Sequence, residues 1–413
     1  MNFEYFIAKR LIKGKEHKSS ISSAIIKIAI LAITVGMVMM LITVATGIGL
    51  QRKIREKVAA FNGHVIITSY DNNNSLESMI PIKKDQHFYP NFTDVTGIKH
   101  VQGYATKGGL IRTEDDFEGI VVKGVGADYN WSYFEEYLVE GILPDFTDPR
   151  NNQILISAYT ASRLGLGLGD NANTVFLKKN SSSNIPANIR AFKIVGIYDS
   201  GFLEFDEKFI FADIRHIQKM NKWNEDQVGG FEVFIDDFDE IDKKGRQIYE
   251  NIPSDLEAVT ITLKYGSIFE WLKLFDLNII GIISIIILVA GINMITALLV
   301  LILERTPMIG ILKSLGTNDW SIRKIFLYNA GYLILIGLLW GNIIGIGLLF
   351  VQKYYGIIGL NPATYYVSTA PIYIDIGYII LLNVGTMLLC LVMLLIPSYV
   401  IAKISPSKAI RFQ

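Results

Sequence analysis

Four stretches of this chain carry no charged side chain: Ile28 to Leu50, Leu277 to Leu303, Ile325 to Gln352 and Ile376 to Ala402. A helix needs roughly 20 apolar residues to cross a ~30 Å hydrocarbon layer, so each stretch predicts a membrane span. The first, with 23 uncharged residues and no small-residue cleavage site behind it, exceeds the roughly 7 to 15 residues of a signal-peptide core and reads as a retained helix. Past Leu50 helix formers continue through Val58, with no breaker before Asn62-Gly63; this helix is expected to project from the bilayer as a stalk. Ile268 to Phe275 leads into the second span in the same way, which predicts a second stalk. Between the stalks short β-rich runs at 64–68, 119–123, 153–157, 174–177, 192–198, 208–211 and 231–235 alternate with Gly, Asn and Asp turns and a helical piece at 158–164.

The expected fold is a polytopic α-helical membrane protein with four transmembrane helices and a large α+β domain inserted between the first and second. Its divisions are a segment 1–23, a span 24–50, the inserted domain 51–270, a span 273–303, a loop 304–323, a span 324–351, a short loop 352–374, a span 375–402 and a tail 403–413. With 51% hydrophobic and 19% charged residues the composition is too apolar for an ordinary soluble domain.

Formal net charge is zero, but its distribution sets an orientation. Lys9, Arg10, Lys13, Lys15, Lys18 and Lys27 precede the first span, Arg305, Lys313, Arg323 and Lys324 follow the second, and Lys403, Lys408 and Arg411 lie in the tail, against Lys353 alone between the third and fourth. Short basic loops stay cytoplasmic, which places both termini and the 304–323 loop on the cytoplasmic side and the inserted domain outside. That domain holds 24 Lys plus Arg against 33 Asp plus Glu, a balance that argues against nucleic acid as a partner.

Little in the chain suggests chemistry. The one cysteine, Cys390, falls inside the fourth stretch, so no disulfide is expected and the residue reads as apolar packing. His17, His64, His87, His100 and His216 show no metal-ligand spacing. Leu164 to Asp170 is glycine-rich but follows a helix and ends on Asp, so it reads as a turn rather than a nucleotide loop; Asp236 to Asp242 lacks calcium-loop spacing. No phosphate-binding G-x-x-x-x-G-K-[ST] occurs, so no catalytic residue, metal or cofactor is expected in this chain, and any ATP used must be hydrolysed by another.

The most informative segment is Glu304-Arg305-Thr306-Pro307-Met308-Ile309-Gly310-Ile311-Leu312-Lys313-Ser314-Leu315-Gly316. Thr306 can cap, Pro307 suits the first helical position and Gly316 the residue past the end, so a short helix is expected over 307–315. Met308, Ile311, Leu312 and Leu315 fall on one stripe. Periodicity alone leaves the membrane surface and a protein groove equally open as its partner.

An E-R-x-x-x-I-G-I-L-K-S-L-G run after a long span resembles the signature loop of FtsX-like and MacB-like ABC-transporter permeases, as does the layout of one span, a large domain and three spans. Within that superfamily the chain is most similar to the lipoprotein-releasing permeases of the Lol system, through Phe6-Ile7-Ala8-Lys9-Arg10, Gly291 to Thr296, Ile396 to Tyr399 and Pro406 to Arg411. The resemblance implies a permease dimer, of identical or paralogous subunits, that extracts lipoproteins from the membrane and passes them to a periplasmic chaperone. A separate cytoplasmic ATPase dimer would bind ATP and Mg and dock on Glu304, Arg305, Pro307, Met308, Ile309, Gly310, Ile311, Leu312, Lys313, Leu315 and Gly316. Many relatives carry Glu where this chain has Met308, so an acidic contact with the ATPase is lost here. Lys178, Lys179, Asn184, Ile185 and Pro186 lie in a polar loop that resembles, by position, a chaperone-recruiting hook; a plain connector is the alternative.

Two rival functions are a same-superfamily permease that transmits movement without moving lipid, and a structural anchor, which would have no use for the 307–315 helix. Inside the spans, Gly337, Gly341 and Gly345 form a small-xxx-small surface, and Asn293, Asn342 and Asn383 need hydrogen-bond partners. With no ionisable residue in any span the substrate path is expected to be apolar. Met37, Met39 and Met40 could line it against acyl chains or pack between helices.

Overall fold

The computed structural model describes residues 3–13, 21–72, 79–148, 151–176 and 188–403. In chain order its strands are β1 Val65–Ser69, β2 Ile82–Lys83, β3 Ile98–Arg112, β4 Phe117–Val125, β5 Leu138–Gly141, β6 Gln153–Ser157, β7 Asn171–Phe176, β8 Asn188–Tyr198, β9 Phe209–Asp213, β10 Gln227–Val228, β11 Gly230–Ile235 and β12 Leu256–Thr260. Its helices are α1 Phe3–Lys13, α2 Ile21–Asn62, α3 Ala158–Leu164, α4 Leu203–Asp206, α5 Ile214–Asn221, α6 Ile241–Glu250, α7 Ile261–Lys264, α8 Gly266–Glu304, α9 Thr306–Ser314, α10 Asp319–Tyr355, α11 Pro362–Tyr365 and α12 Ile376–Ser398. The chain divides into two units: a helical one of residues 1–50, 272–358 and 370–413, and a sheet domain of residues 51–271 and 359–369.

Four helices of the helical unit are long and apolar enough to cross a membrane: Ala24–Asn62, Gly266–Glu304, Asp319–Tyr355 and Ile376–Ile401. α2 and α8 extend beyond the uncharged stretches, to 42 and 39 residues, because nothing in Gln51 to Val58 or Gly266 to Phe275 breaks a helix. Packing inside this unit uses small residues as the periodicity predicts. A Cβ at Gly337, Gly341 or Gly345 would come within 2.7, 2.6 and 2.8 Å of Ile33, Met37 and Leu41 on α2, so these glycines let two backbones approach closely. The Thr34 hydroxyl donates across that seam to the Gly337 carbonyl at 3.2 Å. Asn342 on α10 and Asn383 on α12 exchange amide hydrogen bonds at 2.7 and 3.0 Å, satisfying polar groups that lipid could not.

The sheet domain is built on a ten-stranded sheet in the order β12-β1-β11-β3-β4-β9-β6-β8-β5. Its β4–β9 and β6–β8 pairings are parallel, which mixes βα crossovers with hairpins. β7 pairs with both β8 and the far half of β3, so six strands close into a ring through β3, β4, β9, β6, β8 and β7. β3 is absent from the expected strand runs because Gly103, Gly108 and Gly109 weaken its β pattern. The fold uses that weakness. A Cβ at Gly109 would lie 2.9 Å from the Phe176 ring, so the missing side chain makes room for β7 to close the ring. Inside, Phe176, Phe192, Ile154, Ile210 and Val122 are fully enclosed, and α3 and α5 pack on the sheet, each with a side-chain cap from Ser157 or Asp213.

Candidate functional site

α9 follows the long helix α8 after a single residue, and its surroundings revise the expected helix. It spans Thr306 to Ser314, with Arg305 at the N-cap position but without a capping bond from its side chain. Thr306 is a helical residue rather than the cap: its hydroxyl donates back to the Ile302 carbonyl at 3.1 Å. Gly316 has φ +85°, the left-handed conformation that glycine supplies at a helix end.

The expected stripe of Met308, Ile311, Leu312 and Leu315 is divided. Ile309 and Gly310 are buried, and Met308 and Leu312 lean against the helical core. Ile311 and Leu315 point away, 53% and 76% exposed, with Pro307 and Ser314 also on the open side. The correction has a simple cause. A wide apolar surface can roll about its axis, and Ile309, one position outside the stripe, takes the inward place. Lys313 fixes that roll: its ammonium donates to the Ile401 carbonyl at 2.9 Å and pairs with Asp319 at 2.8 Å. Lys313 therefore holds the helix in place rather than presenting a charge outward, while Glu304 is exposed and Arg305 half-buried.

The three methionines do not share a surface. Met37 is enclosed against Gly341, and Met40 is enclosed with the Thr386 hydroxyl 3.8 Å from its sulfur. Met39, 50% exposed, faces out. Packing in the helical unit accounts for the first two. Lys178, Lys179, Asn184, Ile185 and Pro186 lie outside the described residues; β7 and β8, which precede and follow them in the chain, pair antiparallel from Asn171 and Lys193 to Phe176 and Asn188.

Within the sheet domain, the end of α2 is anchored by groups the sequence did not mark. The Phe61 ring lies 4.8, 4.7 and 6.0 Å from those of Phe134, Phe205 and Phe211. Lys123, 1% exposed, donates to the Phe61 carbonyl at 2.7 Å and to Glu232 at 2.5 Å. A cation at a helix C-terminus satisfies carbonyls that have no intrahelical partner. Burial lowers the Lys123 pKa, and Glu232, which also accepts from Gln102 at 2.9 Å, acts against that shift. Gly63 turns the chain at φ +66°, where a Cβ would strike the Glu232 Cβ at 2.9 Å. The Tyr265 hydroxyl, next to α8, donates to Asn62 at 2.8 Å, so the two stalk ends meet. One turn earlier on α2, Lys57 is buried and donates to the carbonyls of Ser200 and Tyr366; burial pushes its pKa down to about 8. No hydropathy window could single out Lys57, a lysine in a polar run, or Lys123, a lone lysine in a strand, since either reads as solvated until its partners are known.

Comparison with known proteins places these features. Residues 280–406 match the family model of the FtsX-like permease C-terminal, and residues 28–248, more than half of the chain, match that of the MacB-like periplasmic core domain. The lipoprotein-releasing system transmembrane protein LolC of Neisseria meningitidis is 21% identical over the full length of both chains. The Haemophilus influenzae protein of that name is 24% identical, again over both full lengths, and the LolE protein of the same organism is 21% identical over 99% of each. Among solved structures, the extracellular domain of the noncanonic ABC-type transporter YknZ aligns with 40% of this chain and 83% of its own, at 14% identity and a TM-score of 0.29.

Proposed function

This chain belongs to the FtsX-like ABC-transporter permeases with a MacB-like core domain, and from that premise we propose that it is the membrane subunit of a system that releases lipoproteins from the inner membrane. In this reading both termini and α9 face the cytoplasm and the sheet domain stands in the periplasm. A separate ATPase dimer binds ATP and Mg and docks on α9; a second permease subunit, a lipoprotein substrate and a periplasmic chaperone complete the assembly. Full-length similarity to proteins named for lipoprotein release supports the substrate class.

The observation that carries the docking role is α9 itself. A helix clamped by Lys313 and Ile309 leaves Ile311 and Leu315 bare on its open side, which is the form of an anchor for a protein groove. Burying each such side chain contributes typically ~1.5 to 3 kcal/mol. An Ile311→Ser, Leu315→Ser variant that still inserts should therefore bind its ATPase about one hundredfold or more weakly, read by co-purification. Full retention of the ATPase would sink the docking role. Mass spectrometry of the same wild-type preparation tests the substrate: acylated protein carried through purification supports lipoprotein release, and its absence favours a permease that transmits movement without lipid. The unbroken 42 residues of α2 would serve either function.

A further inference from the structure

Eleven residues between the last two long helices, Gly359–Thr369, group with the sheet domain although about ninety residues of chain separate them from its main segment, which ends at Trp271. They form a closed loop of their own. Gly359 bridges Thr369, the Leu360 N–H donates to the Ser368 carbonyl at 2.9 Å, and α11 is a single turn capped by Asn361. Tyr366 then takes φ +59°, a left-handed conformation that a bulky residue adopts only when its surroundings hold it there.

Those surroundings come from three places in the domain. The Tyr366 ring stacks on Phe202 at 4.5 Å and 16°, and Trp271, just past the start of α8, meets it edge-on at 5.7 Å. Phe202 in turn stacks on Phe205 at 4.6 Å, and Phe205 meets Phe61, at the end of α2, with its ring tilted at 4.7 Å. Meanwhile the left-handed turn aims the Tyr366 carbonyl at the Lys57 ammonium, which it accepts from at 3.0 Å. Lys57 is itself fastened: it donates to Ser200, whose hydroxyl donates to Asp206 at 2.6 Å, and a Cβ at Gly201 would lie 3.3 Å from its nitrogen. A buried ammonium whose donors go to backbone carbonyls is costly to leave unsatisfied.

We propose that Gly359–Thr369 is a strap that fastens the connection between α10 and α12 to the sheet domain, with Lys57 as the clasp and the Phe202–Trp271 cleft as the seat of Tyr366. α2 and α8 are then not the domain's only ties to the helical unit. The strap is a third.

The test is hydrogen exchange on the full-length protein in lipid nanodiscs. Lys57→Met keeps the apolar stem and removes the clasp; exchange in peptides covering 359–369 should rise at least tenfold, while β1 and β11 change less than twofold. Tyr366→Ala, which empties the seat, should reproduce this, and Tyr366→Phe should not. The Lys57→Met, Tyr366→Ala double variant should exceed neither single variant by more than twofold, since both release the same strap. Unchanged exchange in the loop, loss of protection spread across the sheet, or effects that multiply in the double variant would each overturn the proposal.

Discussion

The sheet domain buries a lysine and a glutamate against each other, whereas the helical unit, whose long apolar stretches hold no charged residue, satisfies its interior with Thr34, Thr386 and an asparagine pair. The two interiors answer different solvents. A domain surrounded by water has a polar unfolded reference, so an ion pair survives burial where its lone pairs and protons all find partners. In lipid the same pair has no such reference, and close backbone approach through glycine replaces hydrophobic collapse as the means of joining helices. Lys123–Glu232 and Gly341–Met37 are therefore the two places at which this contrast can be broken.

Removing one half of the buried pair has the largest expected effect. Lys123→Met leaves Glu232 and the Phe61 carbonyl without their ammonium and should destabilise the domain by about 3 to 5 kcal/mol. The Lys123→Met, Glu232→Leu double variant should recover most of that loss, measured as urea resistance of limited proteolysis within 51–271. A double variant no more stable than the single one would mean that the pair is not what holds the end of α2.

Gly341→Leu is the helical counterpart. Its Cβ would begin 2.6 Å from that of Met37, and overpacking of this kind costs typically ~1 to 3 kcal/mol. A lowered thermal midpoint in detergent is expected, with partial rescue by Met37→Ala. The same leucine at Gly347, where an added Cβ meets nothing within 4 Å, should be tolerated.

His64 sharpens the contrast through pH. Its Nδ1 accepts from the Ile235 N–H at 3.0 Å, and burial, with a smaller contribution from Lys99, brings its pKa down from 6.5 to about 4. The folded form binds fewer protons than the unfolded between those values, so stability falls as pH falls through that window. Acidification from pH 7.5 to 5.5 should cost about 1.4 kcal/mol through this group. Asp206, raised by burial to about 6, acts with the opposite sign, so the measurement is the difference between wild type and His64→Asn, in which the acidic penalty should vanish. Identical pH curves would remove His64 from the account.

Asn342→Leu has the smallest expected effect, on the order of 0.6 kcal/mol, the average of hydrogen bonds between membrane helices. A thermal shift of that size, unchanged by adding Asn383→Leu, would confirm that the two amides contribute through the bonds they exchange with each other.

What the sequence determined by itself is whatever a window of about twenty residues contains. Four charge-free stretches mark four helices long and apolar enough to cross a membrane, since apolar length and hydrocarbon thickness are local quantities. Gly337, Gly341 and Gly345 mark a close helix approach because their spacing lies within one helix. The Glu304 to Gly316 motif announced its helix, and even the family, before any fold was known. Tertiary structure decided everything that depends on a partner far along the chain. Which side of α9 stays bare was decided by Lys313 reaching Ile401, and which methionines face outward by the roll of α2 against α10 and α12. Lys57 became a clasp through a carbonyl 309 residues away, and Lys123 an anchor through a glutamate 109 residues away. A side chain's burial is fixed by what meets it, and periodicity records only which side chains point the same way.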